Sequence, residues 1–220
     1  MKALKQIEIV REAIMMAESG KSKLTKEILS LEGWSSDLNR HFLNNILELR
    51  GKGCNYLETG TWKGSTFISA MYKNSNVKGI AIENFCSGLD VKSAFIENTS
   101  IYLSDVNWEL LEIDCKSKVI SDFTDKIDIY FYDGPHEHED QRYAFTSMNK
   151  NLNNTFIAII DDWNWEDVRK GTKQAFNELN YSVIKEWEYF PENADIYQSS
   201  KGDRQQGEWW NGMYIGVIQK

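Results

Sequence analysis

The run Phe156-Ile157-Ala158-Ile159-Ile160 is apolar at every position and then gives way to Asp161-Asp162. A strand with no polar face must be covered on both sides, as a central strand of a parallel sheet is when helices flank it. Two adjacent carboxylates at the mouth of such a strand cost free energy unless something pairs with them. This one stretch predicts an α/β fold with an acidic site at a strand tip.

A second stretch, Cys54 to Thr66, reads as a strand, a glycine-bearing turn and a helix running to about Met71. Gly60 lets the chain turn with its backbone open to a ligand, and Gly64 permits close helix-to-strand packing. Ser65 or Thr66 is expected to cap the helix. The pattern Glu58-x-Gly60-x-x-x-Gly64 differs from the Gly-x-Gly-x-x-Gly of dinucleotide sites. A carboxylate at the strand end repels a pyrophosphate and suits an ammonium group. A nucleoside that carries an amino acid, such as S-adenosylmethionine, fits that charge logic. Taken alone, the motif is also what an ordinary structural turn looks like.

Further strands end in acid. Val77–Ile82 leads to Glu83, and Trp108–Ile113 leads to Asp114. Ile127–Tyr132 leads to Asp133-Gly134-Pro135-His136, followed by a helix to about Met148. A helix over 165–179 and a strand over 181–189 come next. A last strand within 209–218 has no crossover helix before it, so it is expected to run antiparallel. In open α/β sheets ligands sit outside the carboxyl ends of the strands, so these tips are expected to share one crevice. There Glu83 suits a ribose diol and Asp114 an adenine amino group. Asp133, Asp161 and Asp162 offer three hard oxygens to Mg²⁺. The plainer reading has Asp162 capping the next helix and Asp161 binding a backbone amide.

Three helices, about 2–18, 23–31 and 36–50, precede the first strand. Residues 1–52 are read as a helical appendage to a domain over 53–220. The appendage has three possible places: over a sheet edge, above the ligand site, or in a homodimer contact. Residues 84–106 show only a helical patch near 91–98, and 191–207 lack periodicity. The net charge of −8 argues against a general nucleic-acid binder or an anionic membrane surface. No apolar run approaches a membrane span, and no signal-peptide core is seen. Cys54, Cys86 and Cys115 are scattered and form no disulfide framework, so a reducing, cytoplasmic setting is expected.

Over about residues 54–220 the chain resembles the class I S-adenosylmethionine-dependent methyltransferases. More narrowly it is similar to the metal-dependent sugar O-methyltransferases typified by macrocin O-methyltransferase. The resemblance rests on Glu58-x-Gly60-x-x-x-Gly64-Ser65, Glu83, Asp114, Asp133-Gly134-x-His136 and Asp161-Asp162. It implies a Rossmann-like, doubly wound seven-stranded sheet whose last strand is antiparallel. Gly60, Thr61, Gly64 and Ser65 would then shape the methionine end of the cofactor pocket, with Glu58 supporting the turn. Glu83 and Asp114 would hold ribose and adenine, and Asp133, Asp161 and Asp162 would hold Mg²⁺.

The family carries a second acid in Asp-Gly-Asp as general base, and here Pro135 replaces it. Either His136 takes the proton or the cation alone acidifies the acceptor hydroxyl. Trp163 and Trp165 are candidates to stack on the acceptor. The implied activity is O-methylation of a small hydroxylated acceptor such as a sugar moiety, with Asp133 and His136 at the chemistry. Two rivals stand beside it. One is a metal-dependent hydrolase or hydroxylase; the other is a silent methyltransferase fold that binds a nucleoside or a protein partner.

Overall fold

The structure is a computed structural model that describes residues 2–117, 125–191 and 208–220. Most of the unpatterned stretch 191–207 therefore lies outside the described residues. Seven strands form one sheet: β1 (Cys54–Thr59), β2 (Val77–Ile82), β3 (Asn107–Leu111), β4 (Ile127–Tyr132), β5 (Leu152–Ile160), β6 (Ser182–Tyr189) and β7 (Met213–Gln219). Their order is β3-β2-β1-β4-β5-β7-β6. β7 alone is antiparallel to its neighbours, inserted between β5 and β6. The doubly wound sheet expected from the sequence is the sheet observed.

Helices α4 (Ser65–Met71) and α5 (Leu89–Tyr102) carry the chain from β1 to β2 to β3. Helices α6 (His138–Met148) and α7 (Glu166–Glu178) carry it from β4 to β5 to β6. Phe67 of α4 and Phe95 of α5 share a core with Tyr56, Phe131 and Ile157 on one sheet face. Phe145 of α6 and Phe176 of α7 share another with Leu57, Tyr130 and Phe156 on the opposite face. The winding thus reverses between β1 and β4, and such a switch point opens a crevice at the carboxyl ends of those strands. β5 lies between the two cores, which is why Phe156–Ile160 carries no polar residue.

Helices α1 (Lys2–Glu18), α2 (Lys26–Leu29) and α3 (Asp37–Arg50) lie on the first face, where Val10, Ala13, Phe42 and Ile46 are buried in the same core as Tyr56. Polar side chains join α3 to α4. Asn44 donates to the carbonyls of Ser69 and Tyr72, and Asn74 donates back to the carbonyl of Asn44. Arg40, 1% exposed, donates to Ser69 Oγ and to the carbonyls of Ile28, Leu29 and Leu31. Its guanidinium thus satisfies carbonyls at the end of α2 that the helix cannot satisfy itself.

Three local expectations change. α5 is longer than the patch near 91–98, because only Val91, Phe95 and Thr99 are buried in the core and the rest of the helix is half-buried or exposed. β3 stops at Leu111, so Asp114 lies three residues beyond it in a turn. The residue that precedes α4 is Gly64, in a left-handed conformation and without a side-chain cap; the Thr66 hydroxyl turns to Glu58 instead. Among the described residues no helix is long and apolar enough to cross a membrane.

Candidate active site

The crevice has two walls. The first is the turn after β1. Gly60 has φ +85, and a Cβ added there would stand 1.9 Å from the carbonyl oxygen of Asp133, so only glycine fits. The loop after β4 thus rests directly on the turn after β1. Glu58 is fully buried and accepts from Tyr56 OH at 2.5 Å and Thr66 Oγ1 at 2.6 Å. Burial pushes its carboxyl up to about 7, partly offset by those two hydrogen bonds. Enclosed in this way, Glu58 does not meet a ligand ammonium, as the charge argument from sequence supposed; it braces the turn. The Thr61 hydroxyl is buried in the turn without a hydrogen-bond partner.

Glu83, just past β2, accepts from Trp62 N at 2.9 Å through one oxygen, and from Asn84 N at 3.0 Å and Phe85 N at 2.9 Å through the other. It ties the tip of β2 to the glycine turn. Trp62 (φ 46) and Phe85 (φ 51) both hold left-handed conformations that side chains rarely adopt. The N-terminal segment roofs this wall. Trp34 stacks on Trp62 with ring centroids 5.3 Å apart, and Lys63 pairs with Glu32 at 2.9 Å. A Cβ on Gly33 would lie 1.8 Å from Ser65 Oγ, so Ser65 is covered by this segment. Asp114 is exposed, and its carboxylate accepts from Lys116 N at 2.8 Å.

The second wall joins the tips of β4 and β5. Ligand atoms of Asp133, His136 and Asp162 all lie within 4.8 Å of one another. Asp161 falls outside that group, so His136 stands where the sequence reading placed a third aspartate. Asp161 is 3% exposed, and its Oδ1 has no hydrogen-bond partner. Burial holds the carboxyls of Asp133 and Asp161 well above the usual carboxylate range, and neighbouring negative charge adds to it. For Asp133 the largest such charge is that of Asp161, followed by Asp162.

Asp162 itself is left-handed (φ 53) and accepts from Asn211 Nδ2 at 2.6 Å. Asn211 was not singled out in the sequence. The Asn211-Gly212 pair just before the last strand is a turn signal, and that turn abuts the tip of β5 through a bond from Asn164 N to the Asn211 carbonyl. Trp163 is fully buried, its ring packed on Tyr214 and its Nε1 bonded to Glu188, so it cannot stack on an acceptor. Trp165 remains at the surface of the site, edge-on to His136 at 4.6 Å. Beside them lies a cleft of about 770 Å³ whose lining includes His136, Trp165, Glu137, Asp140, Glu166 and Asp167.

No family model matches the sequence, and no curated protein matches it. Solved structures do. TomG, an O-methyltransferase from Streptomyces achromogenes involved in tomaymycin synthesis and solved with SAM, matches at a TM-score of 0.60 and 13% identity over 95% of this chain and 90% of its own. An O-methyltransferase from Bacillus cereus in complex with SAH matches at 0.57 and 12%, over 96% of this chain and 91% of its own. TrmN from Thermus thermophilus matches at 0.59 and 12% over 88% of this chain, which spans only 52% of TrmN. With that strand order and these neighbours, the chain has the fold of the class I S-adenosylmethionine-dependent methyltransferases.

Proposed function

We propose that this chain is an S-adenosylmethionine-dependent O-methyltransferase for a small hydroxylated molecule, in the manner of the cation-assisted sugar O-methyltransferases. One observation carries the reading: the glycine turn and the acidic wall touch, with the Cβ position of Gly60 1.9 Å from the Asp133 carbonyl oxygen. A donor seated on the turn is then beside an acceptor held at Asp133, as in-line methyl transfer requires. Gly60 and Gly64 leave room for the donor's amino-acid end, and the free Thr61 hydroxyl is a ready partner for it. Glu83 lies at the ribose position, where its Oε2, bonded to Trp62 N alone, retains acceptor capacity for a hydroxyl. Asp114, exposed past β3, is the adenine partner.

The second wall fits a divalent cation. Asp133, His136 and Asp162 converge, Asp161 presents a bare buried oxygen behind them, and mutual repulsion among these carboxylates calls for positive charge. A cation bound there supplies Lewis acidity to the acceptor hydroxyl and fixes its angle. The oxygen-only set read from the sequence would select Mg²⁺. The cleft alongside suits a neutral or cationic polyol. Four of its lining residues are acidic, its one lysine, Lys116, is tied to Asp140 at 3.1 Å, and Trp165 offers a face to a sugar ring.

Titration calorimetry with S-adenosylmethionine and its demethylated product, with and without Mg²⁺, tests the reading. Binding of both is expected. Absence of any binding would favour a hydrolase, and would end the proposal.

A further inference from the structure

We propose that the cation site prefers a first-row transition-metal dication such as Co²⁺ or Mn²⁺ over Mg²⁺, with His136 serving as a ligand through Nε2 and not as the proton acceptor. This rests on the reading above only in taking the second wall as a cation site.

The geometry of His136 carries the argument. Its Nε2 lies 2.6 Å from Asp162 Oδ2. That is short enough for a strong hydrogen bond, yet the atoms are not aligned for one, and the buried nitrogen has no hydrogen-bond partner. A cation seated between them would turn this close contact into two ligands of one ion. An oxygen of Asp133 completes the set within 4.8 Å.

The ligands are held from outside. Trp165 packs edge-on against the imidazole, its plane at 79° to it, and Asn211 fixes the other oxygen of Asp162. Holding ligands by their neighbours is the usual mark of a metal site. An independent observation is Asp161, 3% exposed with an unpartnered Oδ1. Among the described residues no lysine or arginine forms an ion pair with Asp133, Asp161 or Asp162, so His136, at Asp162, is the one basic side chain paired with these three carboxylates.

Replacing one oxygen by an imidazole nitrogen changes which ion is favoured. Mg²⁺ is hard, and seeks oxygen and water. Imidazole gains much more from the partly filled shells of the first transition row, with affinity rising from Mn²⁺ through Co²⁺. Two carboxylates keep the site open to Mn²⁺, and the nitrogen moves the preference away from Mg²⁺.

The test uses the full chain stripped by chelator, titrated separately with Co²⁺, Mn²⁺ and Mg²⁺, alongside His136→Gln and Asp162→Asn. Co²⁺ is expected to bind at least about tenfold tighter than Mg²⁺. His136→Gln should remove most of that difference by weakening Co²⁺, whereas Asp162→Asn should weaken both ions. Pulsed electron paramagnetic resonance of the Mn²⁺ complex should show nitrogen coupling that disappears in His136→Gln. Melting curves in chelator confirm that each variant is folded.

Equal affinity for Mg²⁺ and Co²⁺, or a Mn²⁺ complex without nitrogen coupling in the wild type, would overturn the inference. A parallel titration with S-adenosylmethionine separates the two proposals. Donor binding without Co²⁺ binding overturns this one alone. Co²⁺ binding without donor binding supports it and overturns the donor reading.

Discussion

The tips of β1 and β2 and the tips of β4 and β5 meet at one crevice but solve their electrostatics differently. At β1 and β2 each carboxylate is satisfied by protein: Glu58 by Tyr56 and Thr66, Glu83 by three backbone N–H groups. At β4 and β5 the carboxylates face one another. Asp161 keeps a bare oxygen, His136 Nε2 has no hydrogen-bond partner, and the charges acting on Asp133 from nearby are all negative. On the proposed reading the first wall, its carboxylates already satisfied, receives the donor, and the second is where a positive ligand would balance the charge. A fold can keep such an unbalanced region only if the rest of it is rigid, which is the service the first wall performs.

The sharpest way to break this contrast is at the point where the walls touch. Gly60→Ala would put a methyl group 1.9 Å from the Asp133 carbonyl oxygen and strain a backbone held at φ +85. Backbone lies on both sides, so no side chain can step aside. The expected loss is about 3 kcal/mol or more of unfolding free energy in urea, together with loss of donor binding. A variant as stable as the wild type would mean that the walls do not rest on each other.

A smaller effect separates scaffold from site by pH. The Glu58 carboxyl, pushed up to about 7 by burial, takes its proton more readily folded than unfolded. Such a group stabilises the fold fully below its unfolded value near ~4.3, and that contribution is lost as pH rises through its folded value. Between pH 5 and pH 8 the loss from Glu58 is roughly 2 kcal/mol. Glu58→Gln should flatten the curve by that amount, because the amide stays neutral and Tyr56 and Thr66 can still bond to it. Urea unfolding at a series of pH values reads the difference directly. An unchanged slope would show that Glu58 is ionised in the fold across the range.

Much of the scaffold was legible in the chain. The apolar run before Asp161, the glycine turn and the helix 2–18 mark themselves by local pattern. What escaped depends on contacts far apart in sequence. Asn211 reaches Asp162 only because β7 inserts beside β5. Trp163 looked available because it follows two aspartates, yet the left-handed Asp162 turns it into the core against Tyr214. The substitution of His136 for Asp161 within the converging group has the same origin. The carboxylates were visible, but which of them point at one another depends on two loops from different strands. Local pattern settles where a strand ends, not where its last side chain is aimed.

The smallest effect is the most direct test of the imbalance at β4 and β5. Asp161→Asn keeps the shape of a buried side chain while removing one of the charges that repel Asp133, and its amide can donate to that neighbour. A carboxylate in an ordinary, satisfied setting would be missed, and its loss would destabilise. Here the removal is expected to stabilise the chelator-treated protein by about 1 kcal/mol, because desolvation and repulsion both fall. Adding a saturating divalent cation should reverse the ranking, since the wild type has more negative charge to give it and gains more from binding. Thermal melts of both proteins, in chelator and with the cation, therefore cross. If Asp161→Asn were less stable in both conditions, its bare oxygen would have to be satisfied by the protein alone, and the two walls would not differ as described.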